Sequence, residues 1–261
     1  MENNTDLRRL VWDIESSPIL GYAWAKYETT IMKVEVDWKL LCYSYRWLDG
    51  PDQKIHVVGM PDDPAYVPGV LDDEWLTEQL HDLLSQADIS IAHNGRGFDD
   101  KKANAKFLEH GFGPTPPRKS IDTLQIARRN FKNTSNSLKD LCEKLELRHK
   151  EDAGGLSTWL NCMAGDKKAW KQMYKYAKGD IVSLIDLYEQ VAPFDKTHPN
   201  LSAYTGHIAC PRCASTHFQK RGTRVANAYT YQQYQCQNQK CRGYFAERKS
   251  LRDAPRPVFK T

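Results

Sequence analysis

Two clusters of residues in this 261-residue chain have the types and spacing to do chemistry. The first is Asp13-x-Glu15, within Leu10-Val11-Trp12-Asp13-Ile14-Glu15-Ser16-Ser17-Pro18. Leu10, Trp12 and Ile14 alternate with Val11, Asp13 and Glu15, the period-2 pattern of a β-strand. The two carboxylates therefore share one strand face, where they repel and cannot be buried without a compensating positive charge. The second cluster is Cys210, Cys213, Cys236 and Cys241, spaced C-x2-C, then 22 residues, then C-x4-C. Thiolates from two such turns supply the four tetrahedral ligands of a structural zinc site. Disulfide pairing is the alternative; zinc is favoured because the N-terminal MENNTDLRR lacks the apolar centre of a secretory signal. The longer C-x4-C loop predicts one irregular turn. Four cysteines already complete a shell, so His207 and His217 are read as solvated. Cys42, Cys142 and Cys162 lie in apolar or helical surroundings and read as small core residues.

The charge divides where the cysteines do. Residues 206–261 carry eleven Lys/Arg against two acids, a local +9, leaving 26 basic and 31 acidic residues over 1–205, a net −5. An acidic body joined to a basic tail points to a polyanionic ligand held by the tail. No apolar run reaches the roughly 18 residues of a membrane span. A soluble, cytoplasmic protein without membrane association is the expectation.

The elements that must position the acids alternate in type. After the first strand, Trp38 to Trp47 and Lys54 to Val58 read as strands, and Asp72 to Ser85 as a helix. The short strand Ile89–Ala92 leads into His93-Asn94-Gly95-Arg96-Gly97-Phe98-Asp99 and a helix to about His110. A strand near Ser120-Ile121-Asp122 follows, then helices over about 123–130, 137–145 and 166–191. Strands first and alternation afterwards argue for an α/β fold, a mixed sheet flanked by helices. Asn94 and two glycines permit a tight turn, with Phe98 expected to anchor in the core and Asp99 to face outward. Helix capping is the bland role for Asp99, and Asp100 would serve it equally. Asp122 reads as a turn or cap residue or a supporting group near the site, and His93 as a backbone-bonded residue or a substrate contact. Trp12 is expected in the core and Trp24 at the surface. Tyr176 and Asp180, at i and i+4, share a helix face.

Taken in order, Asp13-x-Glu15, Asn94-x3-Phe98-Asp99 and Tyr176-x3-Asp180 resemble the DEDD superfamily of 3′-to-5′ exonucleases, in the subclass with Tyr in the third motif. Ile121-Asp122-Thr123-Leu124 and Asn136-Ser137-Leu138-Lys139-Asp140-Leu141 strengthen the likeness, the latter resembling proofreading domains of family B polymerases. The resemblance covers about residues 7 to 192 and implies a ribonuclease H-like fold. It also implies that the charge compensating the acids is metal, as two Mg²⁺ or Mn²⁺ ions. Asp13, Glu15 and Asp180 would hold the ion that activates water. Asp13 would bridge to a second ion supported by Asp99, and Tyr176 would orient the water. The implied activity is hydrolysis of single-stranded DNA or RNA 3′ ends to nucleoside 5′-monophosphates, with DNA favoured. The rival expectations are an RNA-processing exoribonuclease, or a nucleic-acid-binding or adaptor protein on a non-cleaving exonuclease fold.

The C-terminal segment resembles the zinc ribbons of transposase-associated and transcription-related proteins. Its matching features are Cys210-Pro211-Arg212-Cys213, Lys220-Arg221-Gly222-Thr223-Arg224, and Tyr234-Gln235-Cys236 leading to Cys241 and Tyr244-Phe245. Lys220, Arg221 and Arg224 are candidates for phosphate contact, and Tyr229 and Tyr231 for stacking on bases. Tyr234 and Phe245 are expected to pack the ribbon, which would bind one Zn²⁺. Docking of a replication or repair protein is the alternative use of its surface. The expected domains are 1–197 (exonuclease), 198–204 (linker), 205–249 (β-rich zinc ribbon) and 250–261 (basic tail).

Overall fold

A computed structural model describes residues 7–27, 30–147, 154–226 and 229–253. The chain forms two compact units, one of Arg8–Gln125 with Asn133–Leu187, the other of Met1–Leu7, Ile126–Lys132 and Tyr188–Thr261. The larger unit is built on a five-stranded sheet. Its strands are β1 (Arg9–Ser16), β4 (Leu40–Trp47), β5 (His56–Gly59), β6 (Ile89–Ala92) and β7 (Lys119–Asp122), in the order β5-β4-β1-β6-β7. β1 runs antiparallel to β4 and parallel to β6, so the sheet is mixed. Residues 17–39 return the chain from β1 to its antiparallel neighbour β4, and the shorter 48–55 connection brings β5 antiparallel to β4. The helices α1 (Glu74–Ser85) and α2 (Asp99–Glu109) then make the crossovers that parallel β6 and β7 require.

The helices α3 (Thr123–Asn130), α4 (Leu138–Lys144), α5 (Leu156–Met163) and α6 (Lys167–Val191) follow. Sequence reading anticipated all of these but α5. It also missed a two-stranded hairpin, β2 (Leu20–Tyr22) with β3 (Lys33–Val36). That hairpin exposes Leu20, Tyr22, Met32 and Val34, and so buries no alternating face from which a strand is read. Trp24 between its strands is 85% exposed, while Trp12 is fully buried, both as expected.

Leu10, Trp12 and Ile14 of β1 enter one core with Leu76, Leu80, Leu83 and Leu84 of α1. The α1 spacing i, i+4, i+7, i+8 makes a single apolar stripe, and each buried Leu contributes roughly 1.5–3 kcal/mol. Val11 is buried too, so the β1 face that bears the acids is covered in its first half.

A buried ionic network ties α2 to the sheet. Asp73 accepts hydrogen bonds from Leu40 N (2.8 Å) and Lys39 Nζ (3.1 Å), and pairs with Lys106 Nζ (3.1 Å) and His110 Nε2 (3.0 Å). Burial alone would raise its pKa. The Leu40 amide and the Lys106 and Lys39 ammonium groups outweigh burial and hold the carboxyl below its usual range. Asp73, Glu109 and His110 also cluster closely enough for a cation, but the two lysines already neutralise the carboxylates.

Asp73→Asn leaves Lys106, which is 2% exposed, with Glu109 as its remaining ion-pair partner (2.7 Å), and is expected to cost about 1.5–3 kcal/mol at pH 7. The depressed pKa places the Asp73 contribution above its unfolded value of about 3.9. It is lost as pH falls through the lower folded value, so the wild type should shed more stability than the variant below about pH 4. Urea unfolding from pH 3 to 7 checks both, and a variant as stable as wild type at pH 7 would refute the role given to the network.

The smaller unit carries β8 (Phe218–Ala226), β9 (Tyr229–Cys236) and β10 (Tyr244–Asp253) as an antiparallel sheet in the order β10-β9-β8. A short helix, α7 (Ser202–Thr205), forms inside the stretch read as linker. Backbone pairing of β10 extends to Asp253, into the segment read as a basic tail; residues 254–261 lie outside the described ones. Among the described residues no helix is long and apolar enough to cross a membrane.

Candidate metal centres

β1 places Asp13 and Glu15 on the same face at the centre of the sheet, each opposite a small side chain of β4, Ser44 and Cys42. α6 brings Asp180 to them. Carboxylate oxygens of Asp13, Glu15 and Asp180 all lie within 4.8 Å of one another. Asp180 is buried and the two strand acids are half-buried. Three like charges this close repel one another, and a cation among them would relieve that repulsion. The nearby Cys42 thiol is pushed well up, by burial first and then by Glu15 and Asp13. An all-oxygen donor set of this kind fits a hard divalent ion.

Asp99 joins the site from α2, in the reverse of the expected orientation. It is 1% exposed, and Phe98 is the exposed member of the pair at 42%. The turn explains the inversion. Asn94 is left-handed (φ 65°), and a Cβ on Gly95 would meet Ala92 Cβ at 2.6 Å. The loop therefore packs tightly on the end of β6 and points the first turn of α2 inward. Asp99 Oδ1 there accepts a hydrogen bond from Ile14 N (3.3 Å), the residue between Asp13 and Glu15. Burial pushes the Asp99 carboxyl up to about 7, against amide hydrogen bonds from Ile14 and its own backbone that lower it. Asp100 takes a separate role, pairing with Arg118 at 2.6 Å.

Tyr176 lies one turn before Asp180 on α6, half-buried, with its ring edge-on to Trp159 of α5 at 5.9 Å. Asp122 acts as a turn and cap residue: its Oδ1 accepts from Asn94 N (3.0 Å), Leu124 N (3.0 Å) and Gln125 N (3.2 Å). It thus ties the Asn94 turn to the start of α3. His93 is held structurally, by Thr123 Oγ1 (2.9 Å) and the Asn136 carbonyl (3.0 Å).

Sequence reading missed Lys102. Its Nζ donates to Ser16 Oγ (2.8 Å) and lies 3.9 Å from the Trp38 ring centroid and 5.1 Å from that of Phe98. It forms no ion pair with a described residue, and burial lowers its pKa. The available signal was its position three residues after Asp99, on the same helix face.

In the smaller unit all four cysteines converge, with ligand atoms within 4.8 Å of one another. Cys210 Sγ lies 3.7 Å from Cys241 Sγ, and Cys213 Sγ 3.6 Å from Cys236 Sγ. Four sulfurs at about 2.3 Å from a tetrahedral zinc would stand roughly 3.8 Å apart, whereas a disulfide needs about 2.05 Å. The set fits zinc. Both cysteine turns end in a left-handed residue, Ala214 (φ 58°) and Arg242 (φ 47°), so the longer loop closes as the shorter one does. His207 and His217 are exposed and outside the cluster, as expected. Tyr234 and Phe245 stack at 5.4 Å and pack with Phe218, filling the ribbon as expected.

The residues read as nucleic-acid contacts divide between the faces of the ribbon sheet. Tyr229 and Tyr231 alternate onto one face, and Arg224 sits opposite Tyr231. Lys220 sits opposite Tyr234, on the other face. Arg221 donates through Nε to Gln235 Oε1 (3.0 Å).

Residues 63–192 match the sequence profile of the RNase_H superfamily. The match begins after β1, so Asp13 and Glu15 lie outside it. Comparison with curated proteins gave no match. Among solved structures, the family B DNA polymerase from the hyperthermophilic archaeon Pyrobaculum calidifontis is similar, with a TM-score of 0.52 and 16% identity. The similarity covers 72% of this chain but only 25% of the polymerase chain. At that identity the likeness speaks for the fold alone. The larger unit is a ribonuclease H-like mixed sheet flanked by helices, joined in one chain to a small four-cysteine ribbon.

Proposed function

We propose that the protein is a metal-dependent 3′-to-5′ exonuclease that trims single-stranded nucleic acid, DNA by preference, to nucleoside 5′-monophosphates. The observation carrying this reading is the convergence of Asp13, Glu15 and Asp180 within 4.8 Å, with buried Asp99 bonded to the backbone between the first two. When bound, divalent ions supply positive charge for the attacking and leaving oxygens of an in-line phosphoryl displacement. Asp13, Glu15 and Asp180 would hold one ion, and Asp13 and Asp99 would hold the other. Tyr176, through its hydroxyl, orients the attacking water. Lys102 offers a cation beside Ser16 for substrate phosphate, and exposed Phe98 offers a ring for the terminal base. The ribbon would carry structural Zn²⁺ and grip the strand.

Oligonucleotides of DNA and RNA, labelled at either end and incubated with Mg²⁺ or Mn²⁺, test the proposal. The expected result is a one-nucleotide ladder shortening from the 3′ end, release of 5′-monophosphates, and no reaction in chelator. Binding without hydrolysis under any of these conditions would instead identify a non-cleaving adaptor on this fold.

A further inference from the structure

The smaller unit contains a groove that the reading of the ribbon strands did not anticipate. It has a volume of about 1110 Å³ and runs between the turn that ends α6 and the ribbon sheet. That exceeds the roughly 300–1,000 Å³ of a small-molecule pocket, and its lining is unlike one. Five cations line it: Lys196, Arg212, Arg224, Lys240 and Arg242. Lys196, Arg224 and Arg242 are exposed and form no ion pair with a described residue. Arg212 is fixed by neutral acceptors, donating from Nη1 to the Tyr244 carbonyl (2.8 Å) and from Nε to the Asp195 carbonyl (3.3 Å). Its charge is positioned and pairs with no carboxylate of a described residue. Gly243 makes room for it, since a Cβ there would meet Arg212 Nη1 at 3.1 Å.

The other charged groups of the groove are already balanced. Asp195 is engaged by Arg129 (3.2 Å) and by Thr197, and Lys240 pairs with Glu189 (2.8 Å). Two aromatic rings complete the lining. Phe194 is 55% exposed yet held edge-on by Phe131 at 5.0 Å, and Tyr244 is 51% exposed. Tyr244 and Arg224 lie on the ribbon face that also carries Tyr231 and Tyr229. Cations without carboxylate partners and exposed rings in one groove match an extended polyanion with flat bases, which single strands offer and duplexes do not.

We propose that this groove binds single-stranded nucleic acid, with Arg212, Arg224, Arg242 and Lys196 on phosphates and Phe194 and Tyr244 stacked on bases. This names the strand-holding surface of the activity proposed above and rests on that reading for its biological use, but not for its test.

The test measures binding without cleavage. Full-length protein carrying Asp13→Asn is titrated against labelled dT20 and rU20 in fluorescence anisotropy at several salt concentrations, with zinc content checked for each variant. Adding Arg224→Glu and Arg242→Glu is expected to weaken binding at least tenfold. It should also flatten the slope of log K against log salt by about 1.4, as for two phosphates of a single strand. Phe194→Ala should weaken binding about tenfold and leave that slope unchanged. The charge-matched pair Lys167→Glu and Lys168→Glu, in the first turn of α6, should change affinity less than twofold.

The groove assignment is overturned if its variants bind as the parent does, or if the α6 pair costs as much as the groove pair. Absence of binding to either oligonucleotide would overturn it too and leave the ribbon to a protein partner. A protein that never cleaves, yet binds and loses binding on groove substitution, would refute the exonuclease reading and sustain the groove.

Discussion

Asp13→Asn is expected to slow oligonucleotide hydrolysis about a thousand-fold while leaving the protein folded, with an unchanged or slightly higher melting temperature. The two parts of this result have one cause. Asp13 stands within 4.8 Å of Glu15 and Asp180, so its charge is repelled by theirs and becomes most useful when cations join the three groups. The amide keeps the shape of the carboxylate and removes the repulsion, but it is a poor ligand for a hard ion. If Asp13 serves both proposed ions, losing it forfeits several kcal/mol of transition-state stabilisation, which is about three powers of ten in rate. Tyr176→Phe removes one hydroxyl and no ligand, and should cost only about tenfold. Paired rate and thermal-melting measurements decide. A rate within tenfold of wild type with normal melting would exclude the assignment. Equal damage from the two substitutions would give Tyr176 a larger part than water orientation.

Protein purified under reducing conditions without chelator is expected to contain one tightly bound zinc per chain, and Cys236→Ser should lose both the zinc and the folded ribbon. Apart from the cysteines, the ribbon's apolar centre is little more than Phe218, Tyr234 and Phe245. Three aromatic side chains contribute far less than the roughly 10–16 kcal/mol by which a structural zinc binds comparable peptides. The strands β8, β9 and β10 should therefore lose hydrogen-exchange protection in the variant, while β1, β4 and β6 keep theirs, because their core is separate. Magnesium or manganese should restore activity after dialysis but should never replace the zinc, since thiolates favour the softer ion. Zinc-free protein with a protected ribbon would refute the site.

Much of this was legible in the residues alone, for a physical reason. Alternation in β1, the leucine stripe of α1 and the spacing of the four cysteines are local patterns, and local patterns reveal which side chains share a face or a turn. Asp13, Glu15, Asp99, Tyr176 and Asp180 could be named because, in that order and spacing, they resemble the three motifs of the DEDD exonucleases. The hydrogen-bonded His93, the capping Asp122 and the packing Tyr234 were likewise readable, since each side chain has few ways to be satisfied.

What sequence could not supply was direction and long-range meeting. Phe98 and Asp99 exchange their expected places because the left-handed turn at Asn94, pressed against Ala92, aims α2 at the Ile14 amide. No local pattern carries that angle. Lys102 becomes part of the site only because Ser16 and Trp38, 86 and 64 positions away in the chain, come to it. The basic groove forms in the same way, from the end of α6, both cysteine turns and three ribbon strands. Sequence by itself determined which chemistry the chain can hold, because donor types and short spacings are covalent facts. Tertiary structure alone decided which groups face one another and what charge remains uncancelled between them, because desolvation and Coulomb forces act through space, whatever the distance along the chain.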